Sequence, residues 1–302
     1  MVATTITEPV VSTVSKRKKN RAYWTRQGRE QVLPRVFLLI LGAYYMLPFY
    51  WMVVSSLKTN DDLSANPPTW FPSKIQWSNY QKALDVFPFW TYFTNSLIIT
   101  VFSVIGVALT VPMVAYGFSR IEWPGRDKVF FVVLATVFIP FPALIIALFD
   151  IFAQLEWINT FYPLIVPFFF CFLPAPFWIF LMRQFFLQVP QEISDAAKID
   201  GASELRIMFQ IVMPQAWPAL AAVCLFAALE RWNDFLGPLL YLNDPNKYTL
   251  SIGLQFFQSQ STYDIRFNLL MAASALVVLP VLILFFSFQR FFVDGVSVGA
   301  IK

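Results

Sequence analysis

The chain has 302 residues, of which 58% are hydrophobic and only 13% charged, and its net charge is +4. Soluble domains hold about 45–50% apolar residues and about 25% charged ones, so this composition excludes an ordinary soluble enzyme, a disordered chain and a fibrous protein, and points to lipid as the solvent. The sequence contains no histidine, which excludes Ser–His and Cys–His nucleophiles and His-ligated metals, and its two cysteines, Cys171 and Cys224, lie inside apolar runs as small hydrophobes, so no metal site is expected.

Residues 1–33 form a polar tail in which Lys16, Arg17, Lys18, Lys19, Arg21, Arg26 and Arg29 lie close together with only Glu30 among them, and Arg35 follows. Such a tail could bind nucleic acid, but it feeds directly into an apolar run, which favours a membrane anchor and no nucleic-acid partner. It is too long and polar for a cleaved signal peptide. Six stretches then meet the requirement of about 20 mostly apolar residues per membrane helix: 34–57, 89–118, 128–152, 160–186, 216–241 and 268–292. The fourth contains FYPLIVPFFFCFLPAPFWIFLM, without a charge. Pro112, Pro140, Pro142, Pro163, Pro167, Pro174, Pro176, Pro238 and Pro280 fall inside these runs and predict kinked helices. An even number of spans puts both termini on one side. That side carries sixteen Lys and Arg against five on the other, with Arg231 inside the fifth run, so both termini are expected in the cytoplasm. Two long outer loops follow, 58–88 and 242–267; the first, with NPPTWFP and its tryptophans, suits a segment lying at the membrane interface.

The loop between the fourth and fifth spans, 187–215, reads LQVPQEISDAAKIDGASELRIMFQIVMPQ. Pro190 suits a first helical turn, with Gln191 and Glu192 at its positive end. Ile193, Ala196, Ala197 and Ile199 make a partly apolar face, and Gly201 ends the helix where φ > 0 costs little. Ser203 can cap a second helix with Glu204 in its first turn. Leu205, Met208, Phe209 and Val212 form an apolar stripe at helical spacing that must dock on this protein or on a partner.

The run D-A-A-x-x-D-G-A, followed by I-V-M-P, resembles the signature of ABC importer permeases. The resemblance implies a binding-protein-dependent, type I permease fold: an all-α integral membrane protein with six transmembrane helices and both termini cytoplasmic. It places Asp195, where the family has Glu, with Ala196, Ala197, Asp200, Gly201, Ala202 and Pro214 in a loop of coupling helices, to which Glu192 also belongs. In that family the loop sits in a cleft of a cytoplasmic ATPase. The stretches NYQKAL, TNSLIIT, NTFYPLIVP, MRQFF, RWNDFLGPLLYL, YTLSIGL and FFVDGVSVGA are similar to the carbohydrate-type branch, and to its shorter six-span subunit. That branch comprises maltose-type and related sugar, polyol and glycerol-phosphate importers. The implied organisation is a cytoplasmic tail over 1–33, a first helix over 34–57, an extracytoplasmic loop over 58–88, a five-helix core over 89–292 and a cytoplasmic tail over 293–302. The implied partners are a second homologous permease, two ATPase subunits, an extracytoplasmic solute-binding protein and membrane lipid. The expected setting is a bacterial or archaeal cytoplasmic membrane. There is no G-x-x-x-x-G-K-[ST], so no cofactor is expected on this chain, and ATP and Mg²⁺ belong to the ATPase.

In the fifth run, Glu230, Arg231, Trp232, Asn233 and Asp234 set three charges in an apolar stretch, where charges pair or face a water-filled path. Glu230 and Asp234 share a helical face, Asn233 lies beside Glu230, and Trp232 could stack on a sugar or on a neighbouring helix. These residues either line a solute path or tie the subunit to a partner. Two rival readings are an ion-coupled secondary transporter, which places acids at the midplane and often shows repeats, and a membrane-embedded transferase, which needs paired carboxylates or a metal on its active face.

Overall fold

A computed structural model describes the backbone of residues 12–172, 174–261 and 266–299, and the side chains of 32–172, 174–259 and 266–289. All regular structure among them is helical. Residues 1–54 and 55–302 are two separate compact units. The first is made by helix α1 (Ser12–Ser56), which begins inside the basic tail and holds Pro34 and Pro48. Its apolar part, Val32–Ser56, is long enough to cross a membrane.

The second unit opens with a polar knot. Thr59 and Asp62 form a capping box on the short helix α2 (Asn60–Ser64). Lys58 is fully buried and its Nζ donates to the Thr69 carbonyl. Asn79, on α3 (Ser78–Asp85), donates to the carbonyls of Ser56 and Lys58, both at 2.9 Å. Asn268 donates to the Lys58 carbonyl from far along the chain, at 3.2 Å. Buried backbone carbonyls need such partners, and the knot supplies them while Trp70 and Trp77 stay exposed.

Helix α4 (Phe89–Ser119) runs through Pro112 without a break. It is the central element, sharing one core with the helices before and after the 187–215 loop. Gly106 lets it approach closely: a Cβ there would stand 2.7 Å from the Phe169 ring and 3.1 Å from the Phe168 backbone.

The remaining prolines mostly break helices instead of kinking them. Helix α5 (Arg126–Ala135) passes through a 3₁₀ turn over Thr136–Phe138 and meets α6 (Phe141–Gln154) at 96°. The cause is local: Ile139 precedes Pro140 and both are extended, at ψ 111° and 134°. Helix α7 (Tyr162–Ile165) and a 3₁₀ turn over Val166–Phe170 end at Cys171, in the left-handed region at φ 55°. Helix α8 (Ala175–Gln188) then restarts with Pro176 in its first turn. Beyond it come α9 (Gln191–Ile199), α10 (Glu204–Ile207), a π segment over Met208–Val212 and α11 (Met213–Gln215). An 84° bend at Ala216 leads into α12 (Trp217–Trp232). Among the described residues four stretches, Val32–Ser56, Phe89–Ser119, Tyr162–Gln188 and Phe267–Gln289, are long and apolar enough to cross a membrane, or six if each bent pair is one span.

The expected second outer loop, 242–267, is largely helical. After α13 (Leu236–Tyr241) and a 3₁₀ turn, α14 occupies Leu250–Ser261 and α15 occupies Phe267–Gly299. Ser96 of α4 accepts the Leu250 N–H at 2.9 Å, and Leu250 and Ile252 are fully buried, so this segment folds back onto the bundle.

Candidate functional site

The 190–213 turn forms as two helices joined at Gly201. Helix α9 ends in a Schellman arrangement: the Gly201 N–H donates to the Lys198 carbonyl at 3.0 Å and the Ala202 N–H to the Ala197 carbonyl at 2.9 Å. Gly201 has φ +80°, and a Cβ there would meet nothing within 4 Å, so glycine is needed for conformation and not for space. Ala197 and Ala202 hold the two positions whose side chains meet across such a turn; both belong to the main core. Ser203 caps α10 as expected, accepting the Arg206 N–H at 3.4 Å.

Each apolar face divides between core and surface. Of Ile193, Ala196, Ala197 and Ile199, only Ala197 turns inward; Ser194 is its buried neighbour one turn back, and Ile199 is 87% exposed. Small side chains let α9 lie close to the bundle, and its larger apolar ones are left outside. The stripe Leu205–Met208–Phe209–Val212 also divides. Met208 and Val212 are buried together with Ile207 and Met213, whereas Leu205 and Phe209 are exposed. The buried pairs recur five residues apart because the π segment adds a residue to its turn. Glu192, Asp195, Ala196, Asp200 and Gly201 are exposed, Ala202 is half-buried, and Pro214 is exposed just before the bend at Ala216. The outward surface of the turn is thus acidic and apolar together.

Two residues that the sequence reading did not single out hold this turn. Arg120, at the end of α4, is buried; its Nη1 donates to Gln191 Oε1 at 2.7 Å and its Nη2 to the carbonyls of Phe186 and Val189. Tyr116 donates its hydroxyl to Glu204 Oε2 at 2.7 Å, and Glu204 Oε1 pairs with Lys198 Nζ at 2.8 Å. The Glu204 carboxylate raises the pKa of the Lys198 ammonium above its ordinary value. The available signal was an arginine directly after an apolar run.

The second candidate region is a cleft of about 1060 Å³. Three helix breaks meet at it, at Pro140, at Pro174 and at the link between α12 and α13. Irregular backbone at membrane depth is tolerated where it lines a cavity. Phe168, Trp178 and Phe226 give it aromatic walls, and Glu230, Arg231, Asn233 and Asp234 supply its polar atoms. Arg231 pairs with Glu230 Oε1 at 2.8 Å and with Asp234 Oδ2 at 3.1 Å. Aromatic faces beside a few fixed polar groups suit a polyhydroxylated solute with apolar C–H faces.

The helix ends at Trp232 with Asn233 as its cap, still in the α region, and Asn233 and Glu230 both line the cleft; the Asn233 amide donates to the Leu229 carbonyl at 2.7 Å. Asp234 accepts the Gly237 N–H, three residues ahead, at 3.1 Å. Trp232 does not line the cleft. It is buried against Phe93 and donates to the Val277 carbonyl at 3.2 Å, the helix-packing alternative of its two expected roles.

Residues 108–298 match the family described as binding-protein-dependent transport system inner membrane component. The chain belongs to this family. The permease is 34% identical to the arabinooligosaccharides transport system permease protein AraQ of Halalkalibacterium halodurans, over 88% of this chain and 96% of that one. It is 33% identical to the trehalose/maltose transport system permease protein MalG of Thermococcus litoralis, over 91% and 99% of the two chains. It is 33% identical to the diacetylchitobiose uptake system permease protein NgcG of Streptomyces coelicolor, over 94% and 93%. A chain of a bacterial ABC transporter that imports the acidic polysaccharide alginate shares the fold, with a TM-score of 0.72 at 24% identity, covering 87% of the permease and 98% of that chain. The permease is therefore a multi-pass membrane transport subunit with the type I importer fold.

Proposed function

We propose that this permease imports a sugar or sugar-like solute, such as an oligosaccharide, a polyol or a glycerol phosphate, in an ATP-driven importer. An extracytoplasmic binding protein delivers the solute to the cleft, a second homologous permease closes the open side of the path, and two ATPase subunits seize the 190–213 turn. Both termini and the turn lie in the cytoplasm, and residues 58–88 lie outside. ATP and Mg²⁺ are bound by the ATPases. The sugar permeases among its relatives support the solute class. The observation that carries the docking reading is the exposure of Glu192, Asp195, Ala196, Ile199, Leu205 and Phe209 on a turn whose other face is anchored in the core. An exposed apolar patch rimmed by charge marks an interaction surface.

The test is co-purification of the ATPase with tagged Gly201→Val and Asp195→Lys, with ATP hydrolysis measured in proteoliposomes. Both substitutions should lose the ATPase while the permease still inserts, and Asp195→Glu should retain it. Normal ATPase retention with normal hydrolysis in both variants defeats the docking reading.

A further inference from the structure

We infer that Tyr116 and Arg120 are positioning residues that make the 190–204 turn and the cleft move as one piece. A displacement of α9 by the ATPase then reaches the cleft and is not absorbed by the loop. The inference rests on the docking reading above.

Arg120 is only 5% exposed, and it joins three elements: α4, the end of α8 and the first residue of α9. The carbonyls of Phe186 and Val189 are of the kind that a helix end leaves unpaired. A planar guanidinium holds two such carbonyls and an amide oxygen in fixed directions, which an ammonium on a flexible stem does not. One turn back on α4, Tyr116 is 3% exposed and fixes Glu204, the first residue of α10. The starts of both helices of the turn are thereby tied to one helix, at positions four residues apart.

That helix also reaches the cleft. At Gly106 the backbone of α4 lies so close to Phe168 that a Cβ would stand 3.1 Å from its backbone, and Phe168 lines the cleft. Pro174, Phe177 and Trp178, at the opposite end of α8 from Arg120, line it as well. Rigid elements therefore run from the turn to two cleft walls. On the other route out of the turn, the π segment over Met208–Val212 and the bend at Ala216 can take up strain. Without the two anchors, motion of α9 would be lost there.

The experiment uses the assembled complex with Cys171 and Cys224 replaced by alanine and one cysteine at Phe226 in the cleft wall. The rate of its modification by a hydrophilic maleimide is measured with and without ATP plus vanadate. In this reference chain the nucleotide should change the rate by about five-fold or more. In Tyr116→Phe and in Arg120→Lys the change should shrink to about two-fold or less, with the ATPase still bound. Glu204→Gln still accepts the Tyr116 hydroxyl while giving up the ion pair to Lys198, and it should keep the response. A full response in both anchor variants overturns the inference. So does loss of the ATPase from Tyr116→Phe, which would make the contact part of the docking surface alone. So does an unresponsive reference chain that holds its ATPase. If the reference chain retains no ATPase at all, the docking reading itself fails, and that is visible before any substitution at 116 or 120.

Discussion

Arg231 lies over the ring of Phe168, its Cζ 4.4 Å from the centroid, while both of its neighbouring acids hold its nitrogens. The ring belongs to the 3₁₀ segment before α8 and the charges to the end of α12, so one guanidinium joins two of the three helix breaks around the cleft. Removing it leaves two carboxylates facing each other without a cation. Truncating one partner of a buried ion pair costs about 3–5 kcal/mol, and the partial exposure of Glu230 sets the expectation for Arg231→Gln near the lower end. Asp234→Asn should cost about 1 kcal/mol, because Arg231 keeps Glu230 and the amide oxygen still accepts from Gly237. Thermal unfolding of the two purified variants checks this ranking, and equal losses would contradict it.

Gly201 offers a cleaner measurement, because no neighbour stands in the way of a side chain there. The cost of a substitution is backbone strain alone, about 1–3 kcal/mol for a β-branched residue in the left-handed region. Gly201→Asn should cost clearly less than Gly201→Val, since asparagine tolerates that region. Hydrogen exchange of the α9 amides should rise in the valine variant and change little in the asparagine one.

Gly106 is the opposite case. Its φ needs no glycine, but a methyl group would stand 2.7 Å from the Phe169 ring and 3.1 Å from the Phe168 backbone. The ring can turn aside; the backbone has to shift. Gly106→Ala should destabilise the permease by about 1–3 kcal/mol, as overpacking does, and thermal unfolding in detergent measures it.

The knot around Asp62 responds to acid. Burial alone would raise the Asp62 pKa, but the hydrogen bonds from the Ser73 hydroxyl and N–H and from Thr59 outweigh it and hold the pKa below its ordinary value. A depressed pKa contributes stability above the unfolded value, near 3.9, and loses it as pH falls through the folded one. Proteolytic protection of residues 58–78 should therefore be flat from about pH 8 to about pH 5 and weaken below about pH 4. In Asp62→Asn the protection should be lower throughout and lose this acid limb.

Orientation is checked by accessibility. A cysteine at the exposed Lys74 should react with an impermeant reagent in intact cells, after Cys171 and Cys224 are replaced, and one at Ile199 should react only after the membrane is opened. The reverse pattern would invert the topology.

The six apolar stretches and the Gly201 turn were legible because length, hydropathy and a required φ are local properties. Whether Pro140 kinks or breaks its helix is not local. Ile139 was bound to be extended, yet a 96° turn also needs neighbouring elements to receive both arms. Trp232 was ambiguous because an indole fits a sugar and a helix equally well; only the position of Val277 decides. Which face of α9 packs on the bundle was not legible, because Ser194 looks polar and Ile199 apolar. In α9 the usual sorting is reversed, with a small hydroxyl inside and large hydrocarbon outside. Arg120 was counted only as a charge because nothing local announces the three oxygens it holds.

The Lys58 carbonyl sets an order of assembly. It takes one hydrogen bond from Asn79 and another from Asn268, which lies 210 residues further along the chain. During synthesis the segment between α1 and α4 leaves the insertion machinery early, with only the first of these donors available. Its locking therefore waits for the final helix to arrive, so nascent chains stopped before residue 268 should keep this segment open to protease while full-length ones close it.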